Sequence, residues 1–193
     1  MEYKTDSYYI EQVLGGRITA YSHLVDKYKD KAFNLAFRIA GNREEAEEIA
    51  QDSFLKAFRS LDKFRRQSSF NTWLYRIVYN TAISQVRTRK KGILSVEEFP
   101  ASIIDFISYN ANEQEAEKDY RNSLVNFALQ KIGEDERALI SLYYFDELDI
   151  AEISEITGIS KPNIKVKLFR ARQKMLEIIE KVEKKNMIHD GKA

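Results

Sequence analysis

Between Asp149 and Leu168 the residue types are spaced for a nucleic-acid reading device. Asp149 and Glu152 stand three apart, as in a capping box that opens a helix. Gly158 can make a tight turn. Ser160 can cap a second helix, with Pro162 in its first turn, where proline is tolerated. Two short helices joined this way form a helix-turn-helix. Ala151, Ile153 or Ile156, Ile159, Ile164 and Leu168 are spaced to form the apolar seam between them. That leaves Lys161, Asn163, Lys165, Lys167 and Arg170 facing outward, where cations track phosphates and an amide reads a base edge in a major groove. The competing reading is a helical hairpin with a solvated basic face. From Lys161 to Leu176 there are six basic residues and no acid, and a helix built only for solubility would interleave acids at i,i+4.

A second constellation lies upstream. Glu44, Glu48 and Asp52 are four apart and line one side of a helix, and Lys56, Arg59 and Lys63 continue it with the opposite sign. Beyond it, Phe64 to Asn80 mixes cations (Arg65, Arg66, Arg76), amides (Gln67, Asn71, Asn80), hydroxyls (Ser68, Ser69) and aromatics (Phe70, Trp73, Tyr75, Tyr79). Such a mixture can hold an unpaired strand: cations follow the backbone, aromatics stack on bases and amides read their edges. Phe70, Trp73 and Ile77 also stand at core spacing, so Trp73 could serve the interior instead.

The elements that position these groups follow from apolar periodicity. Leu24, Tyr28, Ala32, Leu35 and Ile39 predict a helix that Gly41-Asn42 ends, and a second runs from Asn42 to about Leu61 with acids in its first turns. Arg65 to Ser69 predicts a loop, and the period resumes at Phe70. A short helix is expected before the Gly15-Gly16 stop. Residues 93–122, with Pro100 and no sustained period, read as an acidic linker. Leu124–Ile132, Glu136–Phe145, Ile150–Thr157 and Pro162 to about Lys185 read as four further helices. The expected fold is all-α: two small helical domains, 1–92 and 123–193, joined by a flexible linker.

Composition agrees and narrows the function. Seven glycines and two prolines in 193 residues are few, about 5% against a usual share of roughly 12%, as a helical chain requires. Zero cysteines exclude disulfides and thiolate chemistry, and His23 and His189 are too far apart to form a helical metal pair, so no metal or other cofactor is expected. The sequence has neither an 18-residue apolar run nor a signal-peptide pattern at its start, which points to a cytoplasmic protein without membrane insertion. The net charge of +1 hides strong blocks: +9 from Lys56 to Lys91, −5 from Ile93 to Asn122 and +6 from Lys161 to Leu176. Two basic blocks flanking an acidic one imply two nucleic-acid contacts on one tether.

These residues carry a family resemblance. Glu45-Ala-Glu-Glu-Ile-Ala-Gln51-Asp52-Ser-Phe54-Leu-Lys-Ala-Phe58, followed by Phe70-Asn-Thr-Trp73-Leu-Tyr-Arg-Ile-Val-Tyr-Asn80, resembles region two of an extracytoplasmic-function (ECF) sigma factor of bacterial RNA polymerase. The helix-turn-helix ending Ile164-Lys-Val-Lys-Leu-Phe-Arg170-Ala-Arg172-Gln-Lys resembles region four. The resemblance implies that Glu48, Gln51 and Asp52 dock on the polymerase core. It implies that Arg65, Arg66, Gln67, Ser68, Ser69 and Phe70, supported by Trp73, Arg76 and Asn80, bind the promoter minus-ten element and capture a flipped base. It assigns the minus-thirty-five element to Ser160, Lys161, Asn163, Lys165, Lys167 and Arg170. It also implies an anti-sigma partner, a monomeric free state and no catalytic residue. Two departures from the family pattern stand out: Ile132-Gly133-Glu134-Asp135 where relatives place Leu-Pro, and Glu147-Leu148-Asp149 ahead of the helix-turn-helix.

Two other functions compete. A dimeric helix-turn-helix regulator would need a two-fold symmetric site. A helical enzyme using Glu48 and Asp52 as metal ligands lacks a histidine or a third acid on a facing helix. A flexible 30-residue linker relaxes to a span of ~30 Å and can stretch to ~100 Å. Its charge leaves two readings, a solvated spacer or a strap folded over the +9 block.

Overall fold

The structure is a computed structural model that describes the backbone of residues 5–92 and 113–190 and the side chains of residues 5–89 and 120–184. α1 (Asp6–Leu14) ends at Gly15, and a 3-10 turn (Ile18–Ala20) leads into α2 (Tyr21–Ala40). The α2 residues Leu24, Tyr28, Ala32, Leu35 and Ile39 are all buried, the stripe that its spacing predicts. Gly41 closes α2 in the left-handed conformation at φ 75°, donating its N–H to the Phe37 carbonyl at 2.8 Å. α3 (Arg43–Arg59) starts from Asn42, whose side chain accepts the Glu45 N–H at 3.0 Å, and carries Glu44 and Glu45 in its first turn. A 3-10 turn (Leu61–Lys63) and a loop precede α4 (Phe70–Gly92).

The second module begins with α5 (Glu113–Lys131), so the last ten residues of the stretch expected to be linker are helical. The remainder, 93–112, lies outside the described residues, and with it both readings of the linker charge. α6 (Glu134–Ile140) runs on as a π turn (Ser141–Phe145). Its start, two residues before the expected Glu136, is explained by the Glu136 carboxylate reaching back to accept the Gly133 N–H at 3.2 Å. α7 (Ile150–Thr157) and α8 (Lys161–Asp190) complete the fold. No strand occurs among the described residues.

The two modules are not separate beads. One continuous apolar core runs from Ile10 and Leu24 in the first through Leu74 and Val78 to Leu142, Ile153 and Leu168 in the second. α7 packs along α4, and α6 packs against α2. Two acids of the second module are fastened to the first in the same way, each by one tyrosine and one arginine. Asp146 accepts the Tyr75 hydroxyl at 3.1 Å and lies 3.4 Å from the Arg38 guanidinium. Asp135 accepts the Tyr79 hydroxyl at 3.5 Å and an Arg87 N–H at 2.8 Å. Tyr75 and Tyr79 are one helical turn apart on α4 and so share a face. Nearby, Gly41 passes so close to Gln130 that a Cβ there would collide with it.

Burial dominates the Asp146 carboxyl. Its side chain is 10% exposed, and desolvation pushes its pKa above the usual aspartate value against the opposing pull of Arg38, Tyr75 and Lys31. A raised folded-state pKa means that the native state holds the proton more tightly than the unfolded chain. The Asp146 contribution to stability therefore falls as pH rises from the unfolded value, near 3.8, through the folded one. On acidification from pH 7, the protein should gain unfolding free energy relative to its Asp146→Asn variant. Urea titrations of both proteins at the two ends of that range measure the difference, and a relative loss would contradict the burial argument.

Candidate nucleic-acid interface

The helix-turn-helix forms as its spacing predicts. The Asp149 carboxylate accepts the Ala151 and Glu152 N–H groups at 2.6 and 2.9 Å, and Glu152 accepts the Asp149 N–H at 3.1 Å. Gly158 adopts φ 72° and donates to the Ser154 carbonyl at 2.9 Å. The Ser154 hydroxyl donates to the Ile159 carbonyl at 2.7 Å, and the Thr157 hydroxyl accepts the Ile159 N–H at 3.2 Å, so the turn is tied on both sides. Asp149→Ala should cost about 0.5–2 kcal/mol, read as a lower denaturant midpoint with unchanged slope.

In the seam, Ile153, Ile156, Ile164 and Leu168 are buried and Ile159 is half-buried. Ala151 is exposed and does not belong to it: the face of α7 that packs inward carries the isoleucines, and Ala151 falls on the opposite side. Ser160, whose carbonyl takes the Ile164 N–H at 3.0 Å, is exposed together with Lys161, Asn163, Lys165 and Arg170, and Lys167 is half-buried. α8 thus shows a polar, cationic face at its N-terminal end, opposite a buried stripe of Ile164, Leu168, Ala171 and Met175. Val166 and Phe169 flank that face and are also exposed. Further along, Arg172 donates to the Tyr144 hydroxyl and Lys174 pairs with Glu136, so these two cations serve the module itself.

The loop at 65–69 is a second polar surface. Arg65, Arg66, Gln67 and Ser69 are exposed and Ser68 is half-buried. Arg66 has φ 55°, unusual for a residue with a Cβ, and its guanidinium pairs with Glu11 of α1 at 3.0 Å. The Ser69 hydroxyl accepts the Thr72 N–H at 3.0 Å, so this residue caps α4. Phe70 does not reach the surface. It is 3% exposed, with ring centroids 5.5 Å from Tyr28, 5.9 Å from Phe64 and 5.7 Å from Trp73. It can support the loop from below, but it cannot touch a nucleic acid in this conformation. Trp73 is half-buried against Phe64 at 5.0 Å. Trp73, Arg76 and Asn80 follow at i, i+3 and i+7 and lie along one side of α4, with Arg76 and Asn80 exposed. Leu74, Tyr75, Val78 and Ala82 fill the buried sides.

The acidic side of α3 is the third surface. Glu48 and Gln51 are exposed, Asp52 is half-buried and pairs with Lys56 at 2.7 Å, and Glu48 accepts the Gln85 amide at 2.9 Å. Leu55, seven residues after Glu48 on that side, is 53% exposed. The i+7 spacing was its signal in the sequence. The +9 block is partly neutralised within the fold: Arg89 Nη1 donates to both carboxylate oxygens of Glu45 at 2.7 Å, and Arg87 is held by Asp135. An apolar groove of about 370 Å³ also opens on the second module, lined by Val125, Ile140, Tyr144, Phe145, Met175 and Leu176. Its residues come from three helices, so no periodicity announced it. No group of acids or histidines able to hold a metal occurs among the described residues, and no helix among them is long and apolar enough to cross a membrane.

Comparison with known proteins settles the family. The profile for Sigma-70 region 2 matches residues 24–92 and that for Sigma-70 region 4 matches 124–175. The ECF RNA polymerase sigma factor SigW of Bacillus subtilis is 34% identical over 170 residues, covering 85% of this chain and 91% of its own. The RNA polymerase sigma-H factor of Pseudomonas aeruginosa is 30% identical over 174 residues, covering 87% and 90%. Among solved structures, the sigma factor RpoE of Bartonella quintana in complex with the anti-sigma factor NepR aligns with a TM-score of 0.62 at 23% identity, over 83% of this chain and 96% of that one. CnrH in complex with the cytosolic domain of CnrY gives 0.63 at 20%, over 91% and 97%. The capped helix-turn-helix, the polar loop ahead of α4 and the acidic side of α3 therefore sit in a chain that belongs to the ECF sigma factors of RNA polymerase.

Proposed function

We propose that the three surfaces divide the work of a sigma factor as follows. As a member of its family the chain is not an enzyme; it binds polymerase core and directs it to promoters. Glu48, Gln51 and Asp52, with Leu55 beside them, dock on the core. The negative charge selects a basic partner, and the exposed leucine adds apolar contact. Ser160, Lys161, Asn163, Lys165, Lys167 and Arg170 bind the minus-thirty-five element as duplex. Arg65, Arg66, Gln67 and Ser68 capture a base unstacked from the minus-ten element, and Trp73, Arg76 and Asn80 hold the adjoining strand. Phe70 acts from beneath and Ser69 by capping α4, and together they fix the loop.

The observation that supports this division best is the placement of Trp73, Arg76 and Asn80 along one line of α4, leading away from a loop whose polar side chains face outward. An anti-sigma protein is the expected regulatory partner, since RpoE and CnrH, which share the fold, are solved with partners of their own. A chain acting on polymerase works in the cytoplasm.

The core-docking assignment is tested by reversing its charge. Glu48→Lys with Asp52→Lys should weaken core binding at least about tenfold while helix content stays unchanged. Unaltered affinity for core would remove these residues from the docking surface.

A further inference from the structure

Two exposed apolar side chains stand on the side of α8 assigned above to duplex DNA. Val166 is 48% exposed, and Pro162, one helical turn before it, is exposed as well. At 100° per residue Val166 lies about 200° around the helix from Ile164, and so points away from the buried stripe of Ile164, Leu168, Ala171 and Met175. Lys165 stands about 100° to one side of it and Arg170 about 40° to the other. Neither folding nor solubility accounts for a valine there. It buries nothing in the core, and its β-branch makes it a poorer helix former than the lysines around it. From Lys161 to Leu176 there are six basic residues and no acid, so the surface around it suits a polyanion. The apolar surface suited to a protein helix lies elsewhere on α8: Leu176 lines the groove of the second module, and Phe169, seven residues before it, continues that side. Val166 is turned about 80° away from Leu176.

In the major groove one base edge carries an alkyl group, the thymine 5-methyl, among hydrogen-bond donors and acceptors. The N-terminal residues of the second helix of a helix-turn-helix are the ones that meet base edges, and Pro162 and Val166 fall in the first two turns of α8. We propose that Val166, with Pro162 beside it, reads the 5-methyl group of a thymine in the upstream promoter element. This rests on the assignment of α8 to that element and adds a specificity-determining contact to it. The cations on either side hold phosphates and base acceptors, and the valine selects T·A at the pair it covers. Burying one methyl-sized group there is worth about fourfold in affinity.

Replacing the thymines of the upstream element one at a time by deoxyuridine tests this, because the change deletes the methyl and keeps the base pair. At one thymine the substitution should lower promoter affinity of the wild-type holoenzyme about fourfold. Val166→Ser should bind the unmodified promoter less tightly by the same factor and be indifferent to deoxyuridine at that position. Val166→Thr, which keeps a methyl in place, should retain the sensitivity. Val166 lies outside the buried stripe, so both changes leave the core untouched. Tolerance of deoxyuridine at every position by the wild type, or unchanged sensitivity in Val166→Ser, would overturn the methyl contact. If Val166→Ser keeps the wild-type deoxyuridine pattern and loses affinity for core instead, the contact is overturned and Val166 belongs to a protein partner. Upstream protection that survives Lys165→Glu with Arg170→Glu is a different result: it would overturn the assignment of α8 to duplex DNA, and the methyl contact with it.

Discussion

Replacing Lys165 and Arg170 together by glutamate is expected to abolish transcription that depends on a minus-thirty-five element while leaving the fold intact. Both side chains are exposed on the polar face of α8 and neither belongs to its buried stripe, so unfolding free energy should stay within about 0.5 kcal/mol of wild type. Each lost contact to a base or phosphate costs about 1–3 kcal/mol, so the pair predicts a fall of roughly 30-fold to 10⁴-fold in promoter affinity of the holoenzyme. The salt dependence of binding should also flatten by about one unit of slope for each phosphate contact removed. Footprinting across a salt series reads both effects. Wild-type protection upstream would place the duplex contact elsewhere on the chain.

Phe70→Ala is expected to act through stability. The side chain is 3% exposed and sits among Tyr28, Phe64 and Trp73, so its removal leaves a cavity beneath the loop and should cost about 3–5 kcal/mol. Phe70→Leu should recover a large part of that loss. Arg65→Ala and Gln67→Ala, at exposed positions of the same loop, should leave the melting temperature nearly unchanged and lower open-complex formation instead. The contrast separates a supporting residue from contacting ones. A thermally normal Phe70→Ala protein that fails only at strand opening would put Phe70 in contact with DNA.

Much of this arrangement is legible in the residue types and their spacing. Asp149, Glu152 and Gly158 specify a cap and a left-handed turn through strictly local chemistry, and local chemistry survives in any tertiary context. The buried stripe of α2 likewise follows from spacing alone. Phe70 was ambiguous because one aromatic at helix-start spacing suits a stacked base and a core position equally well. Only the nearness of Tyr28, 42 residues earlier, decides it. The start of α5 at Glu113 was masked by acids and polar residues with no apolar period.

The seam was invisible for a different reason. Asp135 stands at a helix start and Asp146 just past a helix end, positions where acids ordinarily cap or meet solvent. Tyr75 and Tyr79 stand in a stretch whose aromatics also suit nucleic acid. Their partners lie 71 and 56 residues away, beyond the reach of any helical period. The same holds for Glu11 and Arg66, 55 residues apart, which tie α1 to the loop.

In the proposed division of work, this chain makes polymerase core select start sites by two separated contacts. Transcription by purified core from a pool of random promoter sequences, with and without the chain, tests it most directly. Transcripts should appear only with the chain, and the templates used should share two short blocks at fixed spacing, the upstream one lost with Lys165→Glu, Arg170→Glu. Core that ignores the chain, or initiates no better in its presence, would contradict it.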